Sequence, residues 1–390
     1  MKRNTHFIVD SCIGFLPCWQ EALTMLLAVT LAIGVVANAA AEPIQVPEDV
    51  PTIQDAIDIA KPGDEIWVEP GEYEGFLVNV PDITIIGDGR VVITTEIVLE
   101  DPCGIYGLTS KDRVRAFETF TAVDCTFESG GVQVLSIPDG PSAFTRCLFT
   151  RCNKRALKLP STSAVLEDCV FKSNTYDGSG AAIWTEDICV LIAKNCLFED
   201  NHSTGPGGAI DGAECGTFEL IQCQFIRNTS GGNGGAFAGL AHEFRSDRCT
   251  FIDNSADGEG AAVFLIASFC FGPTGHQEIT GSLFQQNTGS TVLSLSPKPS
   301  ATYEVTNTTF CENNAPEAIR GEWEGDHVVI GTACCRADVD RDGSVTTADL
   351  TAWIEAFEIG DPLADQNENG SIEPTDFTKW LDNYRTGCEG

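Results

Sequence analysis

Two stretches near the C-terminus carry oxygen-bearing side chains at the spacing of a divalent-cation loop. Asp338, Asp340 and Asp342 stand at the first, third and fifth places of a twelve-residue segment, and Asp349 closes it at the twelfth. Gly343 supplies the sharp turn at the sixth, and Ser344 at the seventh would turn in a backbone carbonyl. Alternating hard oxygens in this order suit Ca2+. The pattern returns 27 residues later as Asp365, Asn367, Asn369, Gly370, Ser371 and Asp376. Loop one offers four side-chain carboxylates. Loop two offers Asp365 and Asp376, with Glu373 beside them, so loop one is expected to bind the ion more tightly. A merely solvated acidic tail has no reason to repeat these positions.

Each loop needs an element behind it. Leu350, Trp353, Ile354 and Phe357 follow loop one, and Phe377, Trp380, Leu381 and Tyr384 follow loop two. Both sets fall at i, i+3, i+4, i+7, which places them on one face of a helix. No helical stripe precedes either loop, and the twelfth place holds Asp rather than Glu. Duplicated loop–helix units of this kind resemble a type I dockerin over about residues 335 to 387. The resemblance implies a small all-α, calcium-binding module, residues 334–390, that docks on a cohesin-like or other cell-surface protein. It would dock through the tenth and eleventh places, Thr347-Ala348 and Pro374-Thr375, which differ between the halves. Cys335 and Cys388 flank the module and are placed to clasp it.

A different period governs the residues upstream. Cys-x-Phe recurs at Cys125-Phe127, Cys147-Phe149, Cys169-Phe171, Cys196-Phe198, Cys223-Phe225 and Cys249-Phe251, and Ser282-Phe284 and Thr308-Phe310 continue it. Three residues beyond the Phe come Asn174, Asn201, Asn228, Asn254, Asn287 and Asn313. Small residues follow, as in Gly207-Gly208-Ala209 and Gly234-Gly235-Ala236. Two residues apart, Cys and Phe point the same way from a strand. Asn tolerates left-handed backbone and bonds turn amides, so a fixed Asn is expected to stack as a corner ladder. Glycine permits close backbone approach. One rung about 4.8 Å thick cannot bury its own face, so the rungs must stack. Thr, Asn and Gly crowd these segments where helical repeats would need a 3.6-residue apolar stripe. The spacing predicts a parallel β-helix over 42–333.

The pairing of Phe198 and Asn201 with Gly207-Gly208-Ala209-Ile210, repeated from Phe225 to Phe237, resembles the repeats of polymorphic outer membrane proteins. Residues from Val46-Pro47 to Gly89 resemble the opening of pectate-lyase-like right-handed β-helices. There Ile53, Ala56, Ile57 and Ala60 have helical spacing, and Thr52 with Asp55 forms an approximate capping box for a short plug helix. Strands are expected at Ile66-Trp67-Val68 and Ile83-Thr84-Ile85-Ile86. The implied fold is an all-β, right-handed parallel β-helix solenoid followed by the small all-α module. The resemblance speaks to fold rather than activity.

Composition narrows the function. The 390 residues hold 57 Asp+Glu against 23 Lys+Arg, a formal charge of −34. Such a surface repels nucleic acid and anionic lipid. Lys2 and Arg3, an apolar run from Ala22 to Ala37 and Ala39-Ala40-Ala41 read as an export signal over 1–41. The run is short for a membrane span, so the mature chain is expected to be secreted or on the cell surface, without a span. Removing Cys12 and Cys18 leaves 15 of 17 cysteines, an odd number. One cysteine per rung reads as a column of small buried hydrophobes, with cross-rung bridges as the alternative and zinc disfavoured by the lack of clustering.

No catalytic cluster stands out. The densest polar stretch, His242-Glu243-Phe244-Arg245-Ser246-Asp247-Arg248, is split by strand alternation and reads as a solvated edge. Asp112-Arg113-Val114-Arg115 reads as an exposed loop. No Gly-x-Ser-x-Gly elbow is present. Catalytic residues are therefore unassigned. The favoured expectation is a carbohydrate-binding or adhesive surface protein anchored by its calcium-dependent tail, possible partners being the cohesin-like protein and a polysaccharide. The alternative is a polysaccharide lyase or glycoside hydrolase, which an ordered row of Arg, Lys and acids along one outer sheet would favour.

Overall fold

The computed structural model describes residues 42–386, except 136–139, 188, 269–275, 297–301, 332–333, 341–344 and 368–370. Residues 213–215, 362 and 386 are described by their backbone alone. The leader expected at 1–41 and Cys388 lie outside the described residues.

The described chain opens with a strand, Ile44–Val46, and helix α1 (Ile53–Ile59) follows it. The Thr52 side chain caps it by accepting the Asp55 amide. Its apolar face, Ile53, Ala56 and Ile57, is buried at the mouth of the coil, as the capping pattern predicts. Strands Glu65–Val68 and Ile83–Ile93 follow and pair in parallel.

From there each rung gives one strand to each of three parallel stacks. The first stack holds the Phe strands, such as Leu197–Glu199 and Gln224–Ile226. The second follows the glycine turn, as in Leu157–Pro160 and Ile183–Glu186. The third precedes the cysteine, as in Ala164–Glu167 and Val190–Lys194. Ile210–Ile221 and Phe237–Asp247 each run through both the second and the third. Among the described residues 31 strands join one hydrogen-bonded network, and every named pairing is parallel. This is a parallel β-helix, consistent with the expected right-handed coil.

The repeat residues hold their rungs in register. Phe149, Phe171, Phe198, Phe225, Phe251, Phe284 and Phe310 lie opposite one another from rung to rung. From Phe149 to Phe171 the ring centroids are 4.4 Å apart and 4° from parallel. Burying each ring contributes about 1.5–3 kcal/mol. At the corner, Asn228 Nδ2 donates to Phe198 O at 2.8 Å and to Asn254 Oδ1 at 3.0 Å. Its Oδ1 accepts from the Asn201 amide and Asn201 Nδ2. The ladder runs from Asn174 to Asn313.

The left-handed backbone falls one residue earlier than the Asn pattern suggests. Asp200, Arg227 and Asp253 have φ of 55°, 53° and 54°. The Asn side chain thus bonds the turn that its neighbour makes. Gly207, at φ 67°, has no room for a Cβ, which would lie 2.2 Å from Ile210 O. That close approach explains the Gly-Gly-Ala signature.

The cysteine column is buried and free: Cys125, Cys147, Cys169, Cys196, Cys223 and Cys249 are at most 1% exposed and unbridged. Cys311, in the Phe310 strand, pairs with Cys334, and helices α2 (Thr347–Ile359) and α3 (Pro374–Thr386) follow. Cys335 is disulfide-bonded as well.

Candidate functional site

The two loop–helix units are built alike. Asp349, at the N-terminal turn of α2, accepts the Asp340 amide on Oδ1 at 3.2 Å and the Thr346 amide on Oδ2 at 2.7 Å. Asp376, in α3, accepts the Asn367 and Glu373 amides on the corresponding oxygens at 3.1 and 2.9 Å. These amides occupy the third and ninth places of each loop, so the twelfth-place carboxylate ties its own loop into a ring. Both carboxylates are fully buried. The helices cross-brace the loops. Trp353 Nε1 donates to Ala364 O at 3.1 Å and Trp380 Nε1 to Ala337 O at 3.3 Å, each helix gripping the residue before the other's loop.

Asp338, Asp340 and Asp349 come together, their carboxylate oxygens within 4.8 Å of one another. Asp338 is only 7% exposed. Like charges this close repel in a poorly solvated site. A divalent cation offsets that repulsion, and an all-oxygen donor set is what Ca2+ takes, so the residues fit the ion. Among the described residues only loop one gathers three such groups. Asp342, Ser344 and Asn369 lie outside the described residues. Ser371 and Glu373 are exposed, and Asp365 and Asn367 are half-buried.

A second arrangement was hidden in the sequence. Across the second stack, register aligns Arg115 with Gln133, Gln133 with Lys158, Lys158 with Trp184 and Trp184 with Asp211. All five side chains are half-buried on the outer face, because the residues beside them point inward. Arg115 is fixed by Glu96, its Nε and Nη2 donating at 2.9 and 3.0 Å. Lys158 lies 5.2 Å from the Trp184 ring centre. Arg155 is sandwiched 4.2 Å from both the Trp184 and Tyr176 rings, and its Nε donates to Ser179 O at 3.1 Å. Burial pulls the Arg155 pKa down. Burial also pushes the Asp211 carboxyl up to about 7, against the opposing pull of Arg155 and a hydrogen bond from Ser179.

The rungs that carry the start of this row are locally basic in sequence. Residues 111–158 hold eight Lys and Arg against five Asp and Glu, in a chain of net −34. The expected loop at Asp112–Arg115 is in fact half strand: Val114 and Ala116 point inward, fully buried, and Arg113 and Arg115 both reach Glu96. A three-residue strand is too short to show its alternation.

The His242–Arg248 stretch divides between faces as expected. Phe244 and Ser246 are buried, while Arg245 reaches Glu219 at 3.1 Å and Glu278 at 3.5 Å. Its charges neutralise one another across rungs.

The Chlamydia polymorphic membrane protein repeat matches residues 195–213, the segment with Phe198, Asn201 and Gly207-Gly208-Ala209. No curated protein matches the chain. Among solved structures, a capsular polysaccharide depolymerase, the tailspike protein gp49 of Acinetobacter baumannii bacteriophage Fri1, is 10% identical with a TM-score of 0.48, covering 72% of this chain. The chain spans 62% of that tailspike's length. The catalytic unit of a GH87 α-1,3-glucanase from Streptomyces thermodiastaticus is 11% identical, with a TM-score of 0.36 over 76% of this chain and 70% of its own. The Azotobacter vinelandii mannuronan C-5 epimerase AlgE6 A-module is 13% identical, with a TM-score of 0.35 over 71% and 94%.

Proposed function

We propose that this is an exported, surface-associated β-helix protein that binds an acidic polysaccharide along its second stack and is anchored through a calcium-binding C-terminal module. The in-register row from Arg115 to Asp211 carries the reading. Successive rungs are about 4.8 Å apart, a repeat close to the length of one sugar unit, so an extended glycan can meet one side chain per rung. Trp184 offers an apolar face to a pyranose ring, and Arg115 and Lys158 offer cationic donors to carboxylates. The positive balance of residues 111–158 would lessen locally the repulsion that the net charge implies.

In the tail, Asp338, Asp340 and Asp349 would hold the first Ca2+ with Asp342 and the Ser344 carbonyl. Asp365, Asn367, Asn369, Asp376 and the Ser371 carbonyl would hold the second. The ion would neutralise the clustered carboxylates and stiffen each loop. Thr347-Ala348 and Pro374-Thr375 are exposed, which leaves a cohesin-like partner free access. Among the described residues no helix is long and apolar enough to cross a membrane.

One observation favours the enzymatic alternative. Asp211 sits in the row with its carboxyl poised near neutrality, where a proton-transfer group works best. Retention of the full chain on acidic and neutral polysaccharides tests both readings, with unsaturated products and new reducing ends followed together. Retention that drops about tenfold in Lys158→Ala and Trp184→Ala, an effect of about 1.4 kcal/mol, without product, supports a binder. Product release that Asp211→Asn abolishes makes the protein a lyase or hydrolase. Equal retention by both variants removes the row from the function.

A further inference from the structure

The C-terminal module does not stand clear of the coil. It lies over the outer face of the Phe strands, leaving a cavity of about 560 Å³ between the two. The floor is apolar, made by Ile226, Ile252 and Leu283. Gln224 and Gln285 rim it from the coil, and Val339, Leu363 and Gln366 close it from above. The Cys311–Cys334 disulfide pins the start of the module to this edge of the coil.

The roof consists of the opening residues of both calcium loops, for Asp338 and Asp365 line the same cavity. Trp380 and Trp353 hold the residues just before them. Whatever orders the loops therefore orders the roof.

Charge decides what fits. Arg227 is ion-paired with Glu199 and Asp200. Arg336 faces Glu312 and Asp365, and its burial pulls its pKa down. Calcium in the loops would neutralise Asp338 and Asp365, but Glu312 still faces Arg336, so neither guanidinium leaves an excess of positive charge. An anion gains nothing here. An apolar floor ringed by amides and neutralised ion pairs matches a neutral pyranose, which has C–H faces and a hydroxyl rim. The volume lies in the range of small-ligand sites, which favour inter-domain positions.

We propose that this cavity is a second saccharide site, specific for a short neutral oligosaccharide, and that calcium in the loops and sugar beneath them bind cooperatively. The coupling rests on the calcium reading given above; the cavity itself does not. Because coupling is reciprocal, one set of titrations reads it from both sides.

The test is calorimetry on the full chain with cellotriose, maltotriose and laminaritriose as probes and trigalacturonate as the charged comparator, each with calcium and with chelator. At least one neutral trisaccharide is expected to bind five-fold or more tightly with calcium, and to tighten calcium by the same factor. Leu283→Trp fills the floor and should remove the sugar response while leaving calcium affinity in sugar-free buffer unchanged. Gln285→Leu, which removes a rim amide with little change in volume, checks the result if the Trp variant misfolds. Calcium binding without any neutral-sugar response, or a stronger response to trigalacturonate, overturns the site. If calcium itself does not bind, the anchoring reading falls, and sugar binding with chelator that Leu283→Trp abolishes still upholds the cavity. Absence of that binding overturns it too.

Discussion

A buried Asn in the coil is held by the rungs on either side of it, and the arrangement repeats from Asn174 to Asn313. In the C-terminal module the buried Asp349 and Asp376 are each held by their own loop. The first kind of order is shared along a row, so losses stay local, as in other solenoids. The second kind concentrates in two carboxylates and, on the proposed reading, in an ion that only the folded loop can assemble. On the proposed reading, one protein joins a metal-indifferent shaft to a metal-responsive head.

The largest expected effect lies in the head. Asp349→Ala removes a clustered carboxylate and the tie that closes loop one. It should lower calcium affinity there at least 100-fold, about 2.7 kcal/mol, and melt the module first, leaving the β signal of the coil in place. Calcium titration with circular dichroism checks this, and a single cooperative melt of both regions would break the comparison.

Asn228→Ala comes next. It leaves the Phe198 carbonyl and the Asn201 amide without their buried partners, at about 1–3 kcal/mol for each unsatisfied group. Asn313, at the end of the ladder and only partly buried, should cost about half as much when replaced. Denaturant unfolding of both variants with and without calcium sharpens the contrast, since the difference should not depend on the ion.

Asp211→Asn gives a smaller effect that depends on pH. Its carboxyl titrates at about 7 in the folded chain, above its ordinary value near 3.8. The folded state therefore holds this proton while the unfolded state releases it. Stability is fully present below about pH 4 and is lost as pH rises through 7. The variant should overtake the native chain in melting temperature between pH 5 and pH 8, and parallel curves across that range would refute the shift.

Cys223→Ala is expected to cost least, about 1 kcal/mol, because the thiol behaves as a small hydrophobe. Burial raises the Cys223 pKa. Thiol-reactive dye should therefore label it only after unfolding, and rapid labelling of the native coil would contradict its enclosure.

The ladders and both loop–helix units were legible because their residues recur at fixed offsets: Cys-x-Phe, Asn three residues on, and oxygens at alternate places before Asp349 and Asp376. The row from Arg115 to Asp211 was not. Its members have five different side chains, 18 to 27 residues apart, and only strand register makes them neighbours. Register in turn depends on loop lengths that vary from rung to rung. The same holds for the cavity, whose floor and roof are set by a docking geometry that leaves no periodic trace. The left-handed corners fall one residue before the Asn that the sequence marks, because Asp200, Arg227 and Asp253 carry the turn and Asn its hydrogen bonds.

The unbroken register of the Phe strands makes the coil a ruler. Gln224 lies opposite Leu197 on the preceding rung. Excising residues 197–223 would therefore join Cys196 to Gln224 in phase and leave every ladder continuous. The tail would draw about 4.8 Å closer to the row at Lys158. On the proposed reading, the distance between the glycan face and the anchoring head is thus set in whole rungs, and the length of such a coil can change without any change in how a rung is made.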